Sequence, residues 1–114
     1  MEFSGQYLTY NEYKALGGQL DLTPFNLLEY DVRKEIDIQT QGRLINLEKQ
    51  REEVKMCVWE LINLQQSINN GVDISGNVIN YTNKEIVKAK SDTIMRYLLN
   101  CRLEDGTPYL YRGV

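Results

Sequence analysis

Few residues of this sequence could do acid–base or metal chemistry. The chain contains no His, which removes the commonest general base and metal ligand. Catalysis would need carboxylates, Lys or Tyr in a constellation, and none can be recognised. Cys57 and Cys101 lack the paired spacing of a zinc or CxxC redox site, and both fall on predicted core faces. We therefore expect buried thiols, no cofactor or metal, and a protein that is not an enzyme.

Two groups of acidic residues need an interpretation. Glu48, Glu52 and Glu53 alternate with basic residues, as is typical of a solvated helix start with acids near the positive end of the helix dipole. The second group lies between Asp21 and Asp37, and its spacing gathers no shared oxygen cage of the kind that binds Ca²⁺. We interpret both groups as charged surface.

Composition and charge limit the class of protein. With 114 residues, 42% hydrophobic and 25% charged, we expect one soluble domain spanning residues 1–114. No apolar run approaches the roughly 18 residues of a membrane span, and the first residues lack the pattern of a targeting peptide. The default compartment is therefore the cytoplasm, without a membrane partner. A net charge of -3 argues against a basic surface that wraps nucleic acid.

The elements that position these side chains are predicted helices, and the central one spans Gln50 to Asn70. Its apolar residues recur at helical spacing and form one stripe: Val54, Cys57, Val58, Leu61, Ile62, Leu64 and Ile68. Met56 and Trp59 lie on the opposite side. This second apolar spot is either core within one chain or part of a subunit interface, where Trp and Met are enriched.

Three more helices are predicted around the central one. Capping boxes at 9–12 and 82–85 start a short helix that ends near Leu16 and a last helix that ends near Cys101 or Arg102. Thr23-Pro24 starts a helix that runs to Thr40 or Gln41. This second predicted helix also carries apolar residues on its far side, which are further candidates for a subunit interface: Leu27, Tyr30 and Ile38.

The segment from Val72 to Tyr81 is predicted to be a loop or a small hairpin, rich in Gly, Asn and Ser. It is either an inert connector or a binding element. The residues that would make it a binding element are Val72, Asp73, Ile74, Val78, Ile79 and Tyr81.

The chain ends on an apolar segment that follows a turn at Asp105-Gly106-Thr107-Pro108. It consists of Tyr109, Leu110, Tyr111, Arg112, Gly113 and Val114. The segment either folds back onto its own bundle or adds in extended form to a partner. The second alternative is favoured, because little bundle surface is expected to remain for it.

The whole pattern resembles a known family of virion proteins. The residues that carry the resemblance are the opening YLTYNEYKALGG, the helix TPFNLLEYDVRKEID with the following QGRL, the core EEVKMCVWELINL and the end YLYRGV. Together they resemble the head-to-tail connector proteins, also called adaptor or head completion proteins, of long-tailed phages of Gram-positive bacteria.

The resemblance implies an all-α fold of about four helices, with a long loop before the last helix and an extended C-terminal tail. It also implies a homo-oligomeric ring, typically twelvefold, beneath the portal of the filled head, which joins the head to the tail machinery. Tyr109–Val114 would bind the portal protein, and Val72–Tyr81 would face the channel or a neighbouring stopper or tail-completion protein. Genomic DNA would pass through the lumen without specific contacts.

Two alternatives stay open. Short helices joined by Gly turns are compatible with a small helix-turn-helix DNA-binding or packaging subunit, although Asp31, Glu35 and Asp37 on the reading helix would disfavour this. A tail-completion or stopper protein on the same axis is the other alternative. In every phage alternative the protein would be assembled in the host cytoplasm, and the connector would end in the virion at the head–tail interface.

Overall fold

The computed structural model describes residues 5–45, 47–72, 75–78 and 80–110. They contain four helices, α1 (Tyr10–Ala15), α2 (Leu22–Thr40), α3 (Glu52–Asn70) and α4 (Asn83–Leu98). In place of strands, this part of the chain has two isolated antiparallel bridges, Val72 with Val78 and Arg102 with Pro108. The predicted all-helical bundle is confirmed.

Both capping boxes form where the sequence places them. The Thr9 hydroxyl accepts the Glu12 backbone N–H at 3.2 Å, and Glu12 Oε1 accepts the Thr9 N–H at 3.0 Å. Thr82 and Glu85 repeat the arrangement at the start of α4. Each box satisfies two of the N–H groups that a helix start leaves without intrahelical partners.

The other two helices differ from prediction at their starts. The N-cap of α2 is Asp21, not Thr23, so Pro24 lies inside the first turn. A proline is tolerated there because the N–H groups of that turn have no intrahelical acceptor. α3 begins at Glu52 after its N-cap Arg51, two residues later than expected, and it ends at Asn70, with Gly71 at φ 73° as its C-cap.

α3 is the centre of the molecule. α2 and α4 both pack against it, and the chain extends 43 × 34 × 19 Å. The predicted core stripe is buried at Val54, Cys57, Val58, Leu61 and Ile62, but Leu64 and Ile68 are only half-buried. Burial therefore weakens along α3 toward its C-terminal end.

α1 covers the side of α3 that carries Trp59. The rings of Tyr13 and Trp59 have centroids 5.4 Å apart, and Tyr13 also lies 4.7 Å from Phe25 of α2. The chain then turns back close beside this cluster. Gly18 lies so near the Tyr13 ring that a Cβ at this position would collide with it. A helix of six residues is thus held by aromatic contacts to two longer ones.

Candidate functional site

The outer face of α2 carries the most exposed of the predicted interface residues. Leu27, Tyr30 and Ile38 are 55%, 44% and 70% exposed, and they lie on the side of α2 away from the core. The Lys34 ammonium lies 5.1 Å from the centroid of the Tyr30 ring. Asp31, also exposed, shares this face, so the surface is apolar with acidic and basic groups among its side chains.

Met56 and Trp59, the other two interface candidates, are placed differently. Trp59 is half-buried and packs against the core through Tyr13, in agreement with its interpretation as core within one chain. Its role at an interface stays a prediction. Met56 is half-buried in a shallow apolar groove of about 290 Å³. The groove is lined by Leu8, Glu12, Ala15, Leu16, Glu52, Lys55 and Met56.

α4 presents an apolar surface that the sequence prediction did not include among the interface candidates. Val87, Met95 and Leu99 are 67%, 44% and 37% exposed. Met95 and Leu99 directly follow the buried Ile94 and Leu98, so they lie about 100° round the helix from the core. This position of Met95 and Leu99, away from the inner face of the helix, is the feature of the sequence that could have identified them as exposed.

Val87 could not have been found from periodicity. It lies seven residues before Ile94, which places both on the same face of α4. Yet Ile94 is 1% exposed and Val87 is 67% exposed. Val87, in the first half of α4, therefore lies beyond the cover that the described part of the chain provides.

The segment from Val72 to Tyr81 is exposed wherever the structure describes it. Val72 and Val78 pair as an antiparallel bridge, with side chains 38% and 83% exposed, and Tyr81 is 41% exposed. The three other residues predicted for a binding loop, Asp73, Ile74 and Ile79, lie outside the described residues. The described residues give this end of the molecule a third apolar surface.

The C-terminal segment requires a correction. Tyr109 and Leu110 were expected to leave the bundle for a partner, but they are only 3% and 7% exposed and belong to the core. The Tyr109 N–H donates to the Cys101 carbonyl at 3.0 Å, and Arg43 donates to the Pro108 carbonyl at 2.9 Å.

The expectation failed because the turn at 105–108 brings this segment back against the start of α3. There the Arg51 guanidinium lies 6.0 Å from the Tyr109 ring centroid. The rest of the predicted portal-binding tail, namely Tyr111, Arg112, Gly113 and Val114, lies outside the described residues.

Glu29 belongs to the group of acidic residues that was predicted to form charged surface, but its carboxylate is buried. Glu29 is 0% exposed, accepts the Tyr7 backbone N–H at 3.0 Å, and lies 3.4 Å from Arg33 Nε. Burial raises the pKa of Glu29 to about 7, against the opposing effects of Arg33 and of the N–H groups of Tyr7 and Leu8.

Two further contacts extend this network along the start of the chain. The Tyr7 hydroxyl donates to Asp37, and Gln6 Nε2 donates to Asn26 Oδ1 at 2.9 Å. The network holds residues 6–8 against α2, and its carboxylate is enclosed by its own partners. We interpret it as structural, not catalytic.

The remaining features concern metal binding, membrane insertion and one further groove among the described residues. No group of three or more potential metal-ligating side chains comes together there. None of the helices in that part of the chain is long and apolar enough to cross a membrane. A groove of about 410 Å³ between α2, α3 and α4 has Asp31 and Glu35 on its α2 wall and Lys90 on its α4 wall.

Comparison with protein-family models, with curated proteins and with solved structures finds no match for this chain.

Proposed function

We propose that this chain is a non-enzymatic structural subunit of a head-to-tail connector in a long-tailed phage. Copies of it would form a ring, typically twelvefold in the family that it resembles, beneath the portal of the DNA-filled head. The ring would extend the DNA channel toward a stopper or tail-completion protein. The resemblance in sequence and the helical bundle both support this proposal.

The observation that carries the proposal is the placement of two different apolar surfaces on one subunit. α2 and α4 pack on α3, and each keeps an exposed apolar set, with Leu27 and Ile38 on α2 and Met95 and Leu99 on α4. A closed ring is built from heterologous contacts, in which one patch meets a different patch on the next copy. A subunit with two such surfaces is suited to that geometry.

The contacts with other virion components are assigned as follows. Tyr111–Val114 would contact the portal, since Tyr109 and Leu110 are taken up by the core. The exposed segment from Val72 to Tyr81 would face the channel or the next connector protein. The net charge of -3 per chain, repeated around a ring, would repel phosphates and let DNA slide through.

Electron microscopy of the chain mixed with its cognate portal protein tests the proposal. Class averages should show an added ring of density below the portal, and the two proteins should co-elute. A portal that stays bare and elutes alone would contradict it.

A duplex-binding assay covers the helix-turn-helix alternative, in which α2 would read DNA. Asp31 and Glu35 on α2 would repel phosphates. We therefore expect negligible affinity at physiological salt, and appreciable salt-sensitive binding would favour the alternative over a connector.

A further inference from the structure

α3 is weakly packed at its C-terminal end. Leu64 and Ile68 are only half-buried, and the last two residues of the helix, Asn69 and Asn70, are exposed. The last turn also has no basic side chain that would stabilise the negative end of the helix dipole. A helix end with little buried apolar surface opens at small cost in free energy, so we expect this turn to open while the rest of the protein stays folded.

Asn70 is the asparagine of the sequence that directly precedes a glycine. In an Asn-Gly pair the backbone nitrogen of the glycine can attack the asparagine side chain, because no Cβ on the following residue obstructs the approach. Gly71 has a φ of 73°, a conformation that glycine adopts and leaves without steric cost. This junction therefore combines an exposed side-chain amide with an unobstructed nitrogen.

Two hydrogen bonds hold the Gly71 nitrogen while the helix end is closed. Its N–H donates to the Ser67 carbonyl at 2.9 Å and to the Ile68 carbonyl at 3.3 Å. Both acceptors belong to the end of α3, so opening of that end alone frees the nitrogen. The attack therefore requires local opening and not global unfolding.

We propose that Asn70 is a site of spontaneous deamidation in the folded protein, and that the product loosens the segment that follows α3. The Gly71 nitrogen, after losing its proton to hydroxide, forms a bond to Cγ of Asn70. The bond from Cγ to the amide nitrogen breaks, and ammonia leaves after taking a proton from water. Water then opens the succinimide ring to give aspartate or isoaspartate. The proposal does not depend on the connector role.

The consequence for the structure follows from the position of the new carboxylate. Both products add a negative charge at the negative end of the α3 dipole, where it is unfavourable. Isoaspartate also routes the backbone through the former side chain and lengthens it by a methylene group. The bridge between Val72 and Val78 lies directly after this site, so either change alters the backbone that positions it.

Peptide mass spectrometry of the full chain tests the site. The protein is incubated at mildly alkaline pH, where the glycine nitrogen loses its proton more easily, with and without urea. Asn70 should convert in the folded chain at a rate within roughly tenfold of the rate in urea, because the end of the helix opens at little cost. Asn69 is the internal control: it is also exposed, but it precedes Asn70, and its Oδ1 accepts Gln65 Nε2 at 2.9 Å. It should keep its amide over the same period.

Two results would overturn the site. Conversion of Asn70 in urea alone would mean that the end of α3 stays closed in the folded protein. Conversion of Asn69 at the same rate as Asn70 would mean that the glycine does not select the position.

Amide hydrogen exchange tests the effect on the following segment. Exchange at 67–72 should be faster in the deamidated chain, isolated by anion exchange, and nearly unchanged at 54–62 in the buried half of α3. Asn70→Asp carries the charge without the added methylene and should accelerate exchange at 67–72 by roughly two- to fivefold. Asn70→Ser, which has no amide to lose, should exchange like the fresh wild type. Equal exchange in fresh and deamidated chains would overturn the proposed loosening.

Discussion

The ring of Tyr13 packs between those of Trp59 and Phe25, with centroid distances of 5.4 Å and 4.7 Å. Through this one side chain the short α1 is joined to both α3 and α2. The apolar side of α3 that faced away from the predicted core stripe is therefore largely covered within the chain. Apolar side chains that stay uncovered lie on α2, on α4 and at the segment between α3 and α4, among other places.

Replacing Trp59 with Ala should destabilise the monomer. The change removes a half-buried aromatic side chain and its contact with Tyr13, so we expect the free energy of unfolding to fall by about 2–3 kcal/mol. Urea unfolding measures this loss of stability. Leu27→Ala, on the outer face of α2, is the control and should change the free energy of unfolding by less than about 0.5 kcal/mol. If Trp59→Ala kept full stability but abolished self-association, Trp59 would be an interface residue.

What could be predicted from the sequence is what depends on neighbours along the chain. The Thr9–Glu12 and Thr82–Glu85 capping boxes involve residues three positions apart, and both form. The burial of Val54 and Leu61 follows from periodicity within one helix. These features are local, so the amino-acid pattern alone determines them.

What could not be predicted depends on contacts between distant segments. The buried Glu29 carboxylate accepts a hydrogen bond from the backbone N–H of Tyr7, which lies 22 residues earlier in the chain. The burial of Tyr109 depends on the path of the chain after the last helix, which brings its ring near Arg51. Val87 has the periodicity of a core residue and is exposed because no described segment covers the first half of α4. No local pattern records these relationships.

Thr82→Ala should loosen the start of α4 without unfolding the protein. The variant loses the hydroxyl that accepts the Glu85 N–H at 3.2 Å, a cap worth about 1 kcal/mol. The buried anchors Ile94 and Leu98 lie at the other end of the helix. Amide hydrogen exchange should therefore accelerate at 83–90 and stay nearly unchanged at 94–98. Thr82→Ser, which keeps a capping hydroxyl, is the control, and equal acceleration along the whole helix would contradict a local effect.

Stability should fall as pH rises from about 4.5 to about 7 through the contribution of Glu29. The pKa of this carboxyl is about 7 in the folded protein, because burial outweighs Arg33 and the backbone N–H groups, against an ordinary value of 4.5. Between the two values the folded state keeps a proton that the unfolded state releases, so deprotonation favours unfolding. Each unit of difference corresponds to about 1.4 kcal/mol, which gives a loss on the order of 3 kcal/mol.

Glu29→Gln isolates this contribution. The variant cannot ionise, so its free energy of unfolding should change less between pH 5 and pH 8 than that of the wild type. Glu35→Gln removes a carboxylate from α2 without touching Tyr7 and is the control for the change in net charge. Parallel pH profiles for the wild type and Glu29→Gln would show that Glu29 is ionised in both states.

Cys57 should resist thiol reagents as long as the protein is folded. Its side chain lies on α3 and is fully buried in the hydrophobic core. Burial raises the pKa of the thiol to about 12, and the nearby Glu60 carboxylate raises it further. The thiolate is the reactive form, so labelling at pH 7.5 should require opening of the structure. Rates should rise with urea in step with unfolding, and Leu27→Cys, exposed on α2, should label at once in the same assay.

Two truncations separate the stability of the bundle from the proposed contact with the portal. Deleting 109–114 removes the buried Tyr109 and Leu110, and with them the hydrogen bond from Tyr109 to Cys101. That deletion should cost several kcal/mol, so a loss of portal binding in it would mean little. Deleting only 111–114 removes none of these contacts and should leave the free energy of unfolding, measured in urea, within about 0.5 kcal/mol of the wild-type value. If Tyr111–Val114 contact the portal, the shorter deletion should abolish co-elution with it, whereas a stable, truncated chain that still co-elutes would rule out this end as the portal-binding segment.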